Sequence, residues 1–184
     1  MRRVSKGDRV LELFFNEPTR HWHFEEILIE AGLSRKPLSR WLSILLSEKL
    51  IHRVKPRGKM PFYTANYALS PYQVRKRIFA MEMLEKSGLA QKLSALPNAK
   101  TAIIFGSMTR WDWHKESDID LFIYGDAKGL ELGEVERRLG RDIEVFECKD
   151  KESLSRLGEG LLKNIIHGDI IKGGLDFVKV SVDG

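Results

Sequence analysis

The stretch that most constrains this chain is residues 105–124, FGSMTRWDWHKESDIDLFIY. It joins two apolar runs. Gly106-Ser107 closes the first, Ala102–Phe105, and ten residues later Asp118 and Asp120 stand one residue apart at the head of the second, Ile119–Tyr124. Side chains on a strand alternate faces, so the two aspartates point the same way, roughly 6.6 Å apart by strand rise. Ile119, Leu121 and Ile123 then point the other way, into a core. Two carboxylates on one open face beside a small-residue turn suit a divalent cation and phosphate. The plainer alternative is a structural Asp-x-Asp strand beside an ordinary Gly-Ser turn.

The rest of the chain can supply the core that such a strand needs. It has 184 residues, 42% of them hydrophobic, which suits one domain or two small ones. No apolar run nears the ~20 residues that span a bilayer. The opening MRRVSKGDRV has basic residues with no apolar stretch behind them, so no signal peptide and a cytoplasmic location are expected. Cys148 is the single cysteine, which leaves no intramolecular disulfide and no cysteine cluster for zinc. Charge is uneven: residues 1–92 carry 18 Lys and Arg against 9 Asp and Glu, whereas residues 93–184 carry 13 against 17. A basic half joined to an acidic half suggests two tasks, one of them facing a polyanion.

In the basic half, Val10, Leu11, Leu13 and Phe14 fall at helical spacing before Asn16–Pro18 ends the run. A second helix fits Phe24–Ala31, with Phe24, Ile27, Leu28 and Ala31 on one side and Gly32 as its stop. Ser34 reads as the N-cap of a third, which tolerates Pro37 in its first turn and runs to about Lys49. Leu38, Leu42, Leu45 and Leu46 form its buried stripe; Lys36, Ser39, Arg40 and Ser43 recur on another face. Leu50–Lys55 and Phe62–Ala68 then read as strands joined by the basic loop Pro56–Pro61. His21 and His23 flank Trp22, but no partner cluster supports a metal role for them.

Three short helices followed by a hairpin with a basic tip resemble a winged helix-turn-helix domain over about residues 5–69, including the segment Gly32-Leu33-Ser34 through Leu38-Ser39, Leu42 and Leu45. In such domains the third helix enters the major groove and the wing reaches an adjacent groove or the backbone. The resemblance implies that Arg35, Lys36, Ser39 and Arg40 face DNA, with Arg57 and Lys59 on the wing. A protein-docking role for the same module is the alternative. Dimers are common among winged-helix proteins, although no residue compels one here.

After Ser70-Pro71, residues 72–95 show a long helical pattern with Val74, Ile78, Met81, Leu84 and Leu89 as its apolar side. From Lys100 the order is strand, Gly-Ser turn, short helix, loop, strand, helix (about Leu130–Leu139) and strand (Asp142–Phe146). Over about residues 96–150 this resembles the nucleotidyltransferase superfamily, which includes DNA polymerase beta, tRNA CCA-adding enzymes and the minimal nucleotidyltransferases. The shared pattern is Phe105-Gly106-Ser107, a ten-residue spacer, Asp118-Ile119-Asp120, and a third carboxylate on a later strand. Arg110 and Ser117 match as well, whereas Trp111 stands where relatives carry a small residue.

That resemblance implies Mg²⁺, or Mn²⁺, held by Asp118, Asp120 and a third acid, with an NTP, ATP foremost, as substrate. Glu144, flanked by apolar residues, fits the third position better; Asp142, on the same face, is the alternative. Gly106 lets the backbone approach a triphosphate, Ser107 would hold its oxygens where a helix begins, and Arg110 would join them. Trp111, Trp113 and His114 could stack on a base, though loop aromatics are more often packing. Residues 151–184 add a helix around Glu152–Ile166 and a final apolar segment, Leu175–Val180.

The expected protein is α/β (α+β) with a winged helix-turn-helix over 1–70, a bridging helix over 71–96 and a minimal nucleotidyltransferase domain with a mixed sheet over 97–184. Its expected function is Mg²⁺-dependent transfer of a nucleoside monophosphate from an NTP to an unknown acceptor, coupled to DNA binding. Two alternatives stay open: a transcriptional regulator with a nucleotide-sensing or inactive domain, and an antitoxin-like partner of a small helical toxin.

Overall fold

A computed structural model describes residues 6–178. Over these residues the chain divides into two compact units: 6–76 with 113–115, and 77–112 with 116–178.

The first unit contains α1 (Lys6–Asn16), α2 (Phe24–Glu30), α3 (Arg35–Ser47) and a hairpin of β1 (Ile51–Val54) and β2 (Phe62–Ala65). Gly32, at φ +60, ends α2 as its sequence position predicts: its amide donates to Ile29 and that of Leu33 to Leu28. The same closure ends α3, but with Lys49 in the left-handed position at φ 58. Leu50 then donates back to Leu45 at 3.0 Å, and both side chains are buried. Ser34 occupies the N-cap position of α3 without making the side-chain hydrogen bond. Of the expected stripe Leu38, Leu42 and Leu45 are buried and Leu46 is half-buried; Val10, Phe14, Phe15 and Ile27 are buried with them. Trp113 belongs to this core too, its ring 6.1 Å from Phe15. Lys76 is also buried, with its ammonium 4.4 Å from the Trp113 ring centre and donating to the Trp113 carbonyl.

The long helix over 72–95 is two helices, α4 (Ser70–Ser87) and α5 (Leu89–Ala95), separated by Gly88 at φ +86. The expected apolar side of α4 is wrong for its first three members. Val74, Ile78 and Met81 are 55%, 42% and 51% exposed, while Tyr72, Lys76, Ala80 and Leu84 are buried. Leu84 and Leu89 are buried as expected.

The second unit holds a four-stranded sheet in the order β5-β4-β3-β6. Its strands are β3 (Ala99–Phe105), β4 (Ile119–Gly125), β5 (Ile143–Cys148) and β6 (Asp169–Lys172). β3 pairs antiparallel with β4 and β6, whereas β4 and β5 run parallel through a crossover containing α6 (Gly133–Leu139), so the sheet is mixed, as expected. The helix expected over 152–166 is split at Gly158 into α7 (Lys151–Ser155) and α8 (Glu159–Ile166). Strand β6 was not legible in the sequence. Of the apolar segment 175–180, Lys179 and Val180 lie outside the described residues.

β4 is buried on both sides. Ile119, Leu121 and Ile123 are fully buried on one face. On the other, Phe122 and Tyr124 pack with Phe105, Leu154, Ile165 and Phe177. The face carrying Asp120 is therefore open only at the end of the strand, because core begins two residues further on. Among the described residues no helix is long and apolar enough to cross a membrane.

Candidate functional site

Sheet register brings Asp120 together with Gly106 and Glu144. Asp120 lies opposite Phe105 on the antiparallel side, and Gly106 follows at once. On the parallel side Asp120 is opposite Glu144, and paired residues on neighbouring strands share a face. Gly106 has φ +75, and a Cβ built there would fall 1.9 Å from Oδ2 of Asp120. No other residue type fits this contact without displacing the carboxylate.

Asp120 is half-buried, while Asp118 and Glu144 are exposed. Desolvation raises the Asp120 carboxyl above the usual aspartate range; the charges of Glu144 and then Asp118 push it further, and Arg110 opposes them. Glu144 is thus the later-strand acid that acts on Asp120, and Asp142 is not among the groups shifting it. Asp142 precedes β5, where its carbonyl accepts the Ile119 amide at 3.0 Å. Among the described residues no three His, Cys, Asp or Glu side chains are grouped as a metal-ligand set.

The turn after β3 differs from expectation. The short helix expected after the Gly-Ser turn is a four-residue 3-10 helix, Gly106–Thr109, that contains Ser107, and no α-helix begins there. Ser107 is half-buried, and the turn is closed by Thr109 Oγ1 donating to the Gly106 carbonyl at 3.0 Å. Arg110 is exposed and grips Asp112 through Nε and Nη2, the latter at 2.9 Å, which also pushes its pKa up. Trp111 is partly exposed, whereas Trp113 is core.

Sequence reasoning missed Arg141. It is 9% exposed, and Nη1 donates to the Ser117 carbonyl at 2.7 Å. With the Asp142 carbonyl on Ile119, this fixes the backbone on both sides of Asp118. An arginine at the head of a strand reads as surface in sequence, and only the parallel pairing with β4 reveals its task.

In the first unit, Lys36, Ser39 and Arg40 are exposed along α3, and Arg57 and Lys59 are exposed in the hairpin loop. Arg35 is exposed but paired with Glu25 at 2.7 Å. His21 stacks on Phe62 with centroids 4.0 Å apart, and Nδ1 of His23 lies 3.0 Å from the Pro61 carbonyl oxygen. Both imidazoles thus lie against the loop end of the hairpin, at Pro61 and Phe62.

No curated protein matches the chain. Among solved structures it is similar to a "putative nucleotidyltransferase" of Sulfolobus solfataricus at 18% identity and a TM-score of 0.29, covering 62% of this chain and 90% of that one. Residues 88–174, which begin at the left-handed Gly88 and end just past β6, match the nucleotidyltransferase family described as "Polymerase beta, Nucleotidyltransferase".

Proposed function

We propose that the second unit transfers a nucleoside monophosphate from an NTP to an acceptor hydroxyl, releasing pyrophosphate, with the help of Mg²⁺. The observation that carries this reading is the juxtaposition of Gly106, Asp120 and Glu144: a turn without a Cβ packed on a carboxylate that another carboxylate already crowds. Asp118, Asp120 and Glu144 would hold the metal. Their donor chemistry suits it, since hard oxygen donors match Mg²⁺ and a cation would offset the Glu144 and Asp118 charges that add to burial in raising the Asp120 carboxyl. Mg²⁺ commonly completes its shell with water and substrate phosphates, so a full protein cage is unnecessary. When bound, the ion supplies charge neutralisation for the triphosphate and acidifies the acceptor hydroxyl.

The chain's own residues do the positioning. Gly106 admits the triphosphate close to the backbone, and Ser107 offers a hydroxyl beside it. Arg110 exchanges Asp112 for phosphate oxygens. Arg141 keeps Asp118 in register. Phosphoryl transfer needs mainly alignment and charge stabilisation, so this modest set is sufficient.

The first unit is read as a winged helix-turn-helix that binds DNA. Three helices and an antiparallel hairpin support that reading, as does the exposed row Lys36, Ser39 and Arg40, with Arg57 and Lys59 in the hairpin loop. The cations supply phosphate contacts, and Ser39 is small enough to lie against backbone or base edges.

The test is calorimetric titration of each NTP with Mg²⁺ into the full chain and into an Asp118→Ala/Asp120→Ala variant. Metal-dependent binding to the parent that the variant loses, with its melting temperature retained, is the expected outcome. Equal binding by both proteins would remove the aspartates from the site, and no binding by the parent would remove the nucleotide.

A further inference from the structure

Helix α3 has a third stripe that neither the core nor the proposed DNA face uses. Pro37, Trp41 and Ile44 recur at i, i+4 and i+7 and are half-buried. Together with Lys6 of α1, and with Lys36 and Arg40 at the rim, they line a hollow of about 490 Å³. That volume lies within the range of small-molecule sites, roughly 300–1,000 Å³.

The lining combines two chemistries. Its floor is apolar and partly aromatic. Its polar side chains are three cations, with no acidic residue among them. An adjoining hollow of about 360 Å³ shares Trp41 and Ile44 but is lined by Asp8 and Glu48 as well as Arg75. The two therefore differ in sign along one seam, and an anion is drawn to the first only. The indole between them is well braced: a Cβ on Gly7 would fall 2.5 Å from its six-membered ring, so the α1 backbone lies directly against it. A fixed aromatic wall can receive a flat partner with little loss of conformational freedom.

We propose that this hollow binds a small aromatic anion, with its ring against Trp41, Pro37 and Ile44 and its carboxylate, sulfonate or phosphate reached by Lys6, Lys36 and Arg40. Charge complementarity selects the sign, and the aromatic floor selects the flat body. Lys36 and Arg40 also belong to the face assigned to DNA, so the anion and DNA should exclude each other. That corollary rests on the DNA reading; the site itself does not.

The probe is 8-anilinonaphthalene-1-sulfonate, titrated by fluorescence into the full chain in EDTA without nucleotide or DNA. Saturable binding of one dye per chain is expected. Affinity should fall by about tenfold or more in Lys36→Glu/Arg40→Glu, where two rim charges reverse. Trp41→Leu should weaken it as well, with circular dichroism reporting the fold. Asp118→Ala/Asp120→Ala should bind as the parent does. Dye affinity unchanged in both the charge-reversed and the Trp41→Leu proteins would overturn the site, as would absence of saturable binding. In a second titration, duplex DNA that displaces the dye supports mutual exclusion, whereas dye and DNA bound together overturns that corollary and leaves the anion site standing.

Discussion

The two polar faces assigned to phosphate chemistry are built in opposite ways. On α3, Lys36, Ser39 and Arg40 project from an ordinary helix whose other side, Leu38, Leu42 and Leu45, is held by packing. Nothing about the backbone there is special, and any long cation at those positions would reach outward. At the end of β4, by contrast, Asp120 is half-buried, crowded by two acids, and overlaid by a glycine in the left-handed region. The first face is additive and tolerant. The second is a fitted arrangement in which each part depends on its neighbour, and in which charges of one sign are held together at a cost in stability.

Gly106→Ala breaks that contrast most severely. The new methyl meets Asp120 Oδ2 at 1.9 Å and also forces φ +75 on an L residue. A loss of about 1–3 kcal/mol of stability in chemical denaturation is expected, with loss of Mg²⁺-dependent NTP binding. Tolerance of the methyl on both counts would mean that the turn can move away from the carboxylate.

The α3 face should respond gradually. Replacing Lys36 and Arg40 by Ala, singly and together, should weaken binding to duplex DNA in steps. Each replacement should reduce the slope of log K against log salt by about 1, with the fold unaffected. A slope identical to the parent's in the double variant would remove α3 from the DNA interface.

The smallest effect sharpens the comparison from the acidic side. Asp120 has its carboxyl raised in the folded state, so the fold binds that proton more tightly than the unfolded chain does. Its contribution to stability is present below the unfolded value, about 3.9, and is lost as pH rises through the folded value. In EDTA, Asp120→Asn should therefore melt at a higher temperature than the parent at pH 7, and the difference should close as pH falls toward 4. A parent more stable than the variant at pH 7 would show that the carboxylates are not in conflict.

Much of the fold could be read directly. Apolar runs located β3, β4 and β5, and the leucine stripe located α3 and its exposed row. Helix α4 misled because hydrophobicity and burial part company along it. Val74, Ile78 and Met81 face outward, while Tyr72, Lys76 and Ala80 are inside. A lysine whose stem is buried and whose ammonium lies over an indole cannot be anticipated from helical periodicity. Strand β6 was hidden because four residues, two of them charged, give no period; the exposed edge of β3 supplies its pairing.

The candidate site divides in the same way. The Gly-Ser turn, Asp118 and Asp120 stood out because their spacing is local to one segment of chain. The contact of Gly106 with Asp120 and the bond from Arg141 to Ser117 depend on strand pairing, which no local pattern encodes. Register likewise sets Glu144, and not Asp142, opposite Asp120.

The parallel pairing of β4 with β5 makes the acid pair a question of parity. Glu144 meets Asp120 only because the connection through residues 126–142 delivers β5 in this frame. A slip of one residue would bring Ile143 or Val145 opposite Asp120 and turn Glu144 to the far face. A slip of two in one direction would bring Asp142 there; in the other it would bring Phe146. An insertion of two residues in that connection could therefore leave an acid in place, where an insertion of one cannot. Asp142, two residues back along the chain, is the acid that such a two-residue shift would set opposite Asp120.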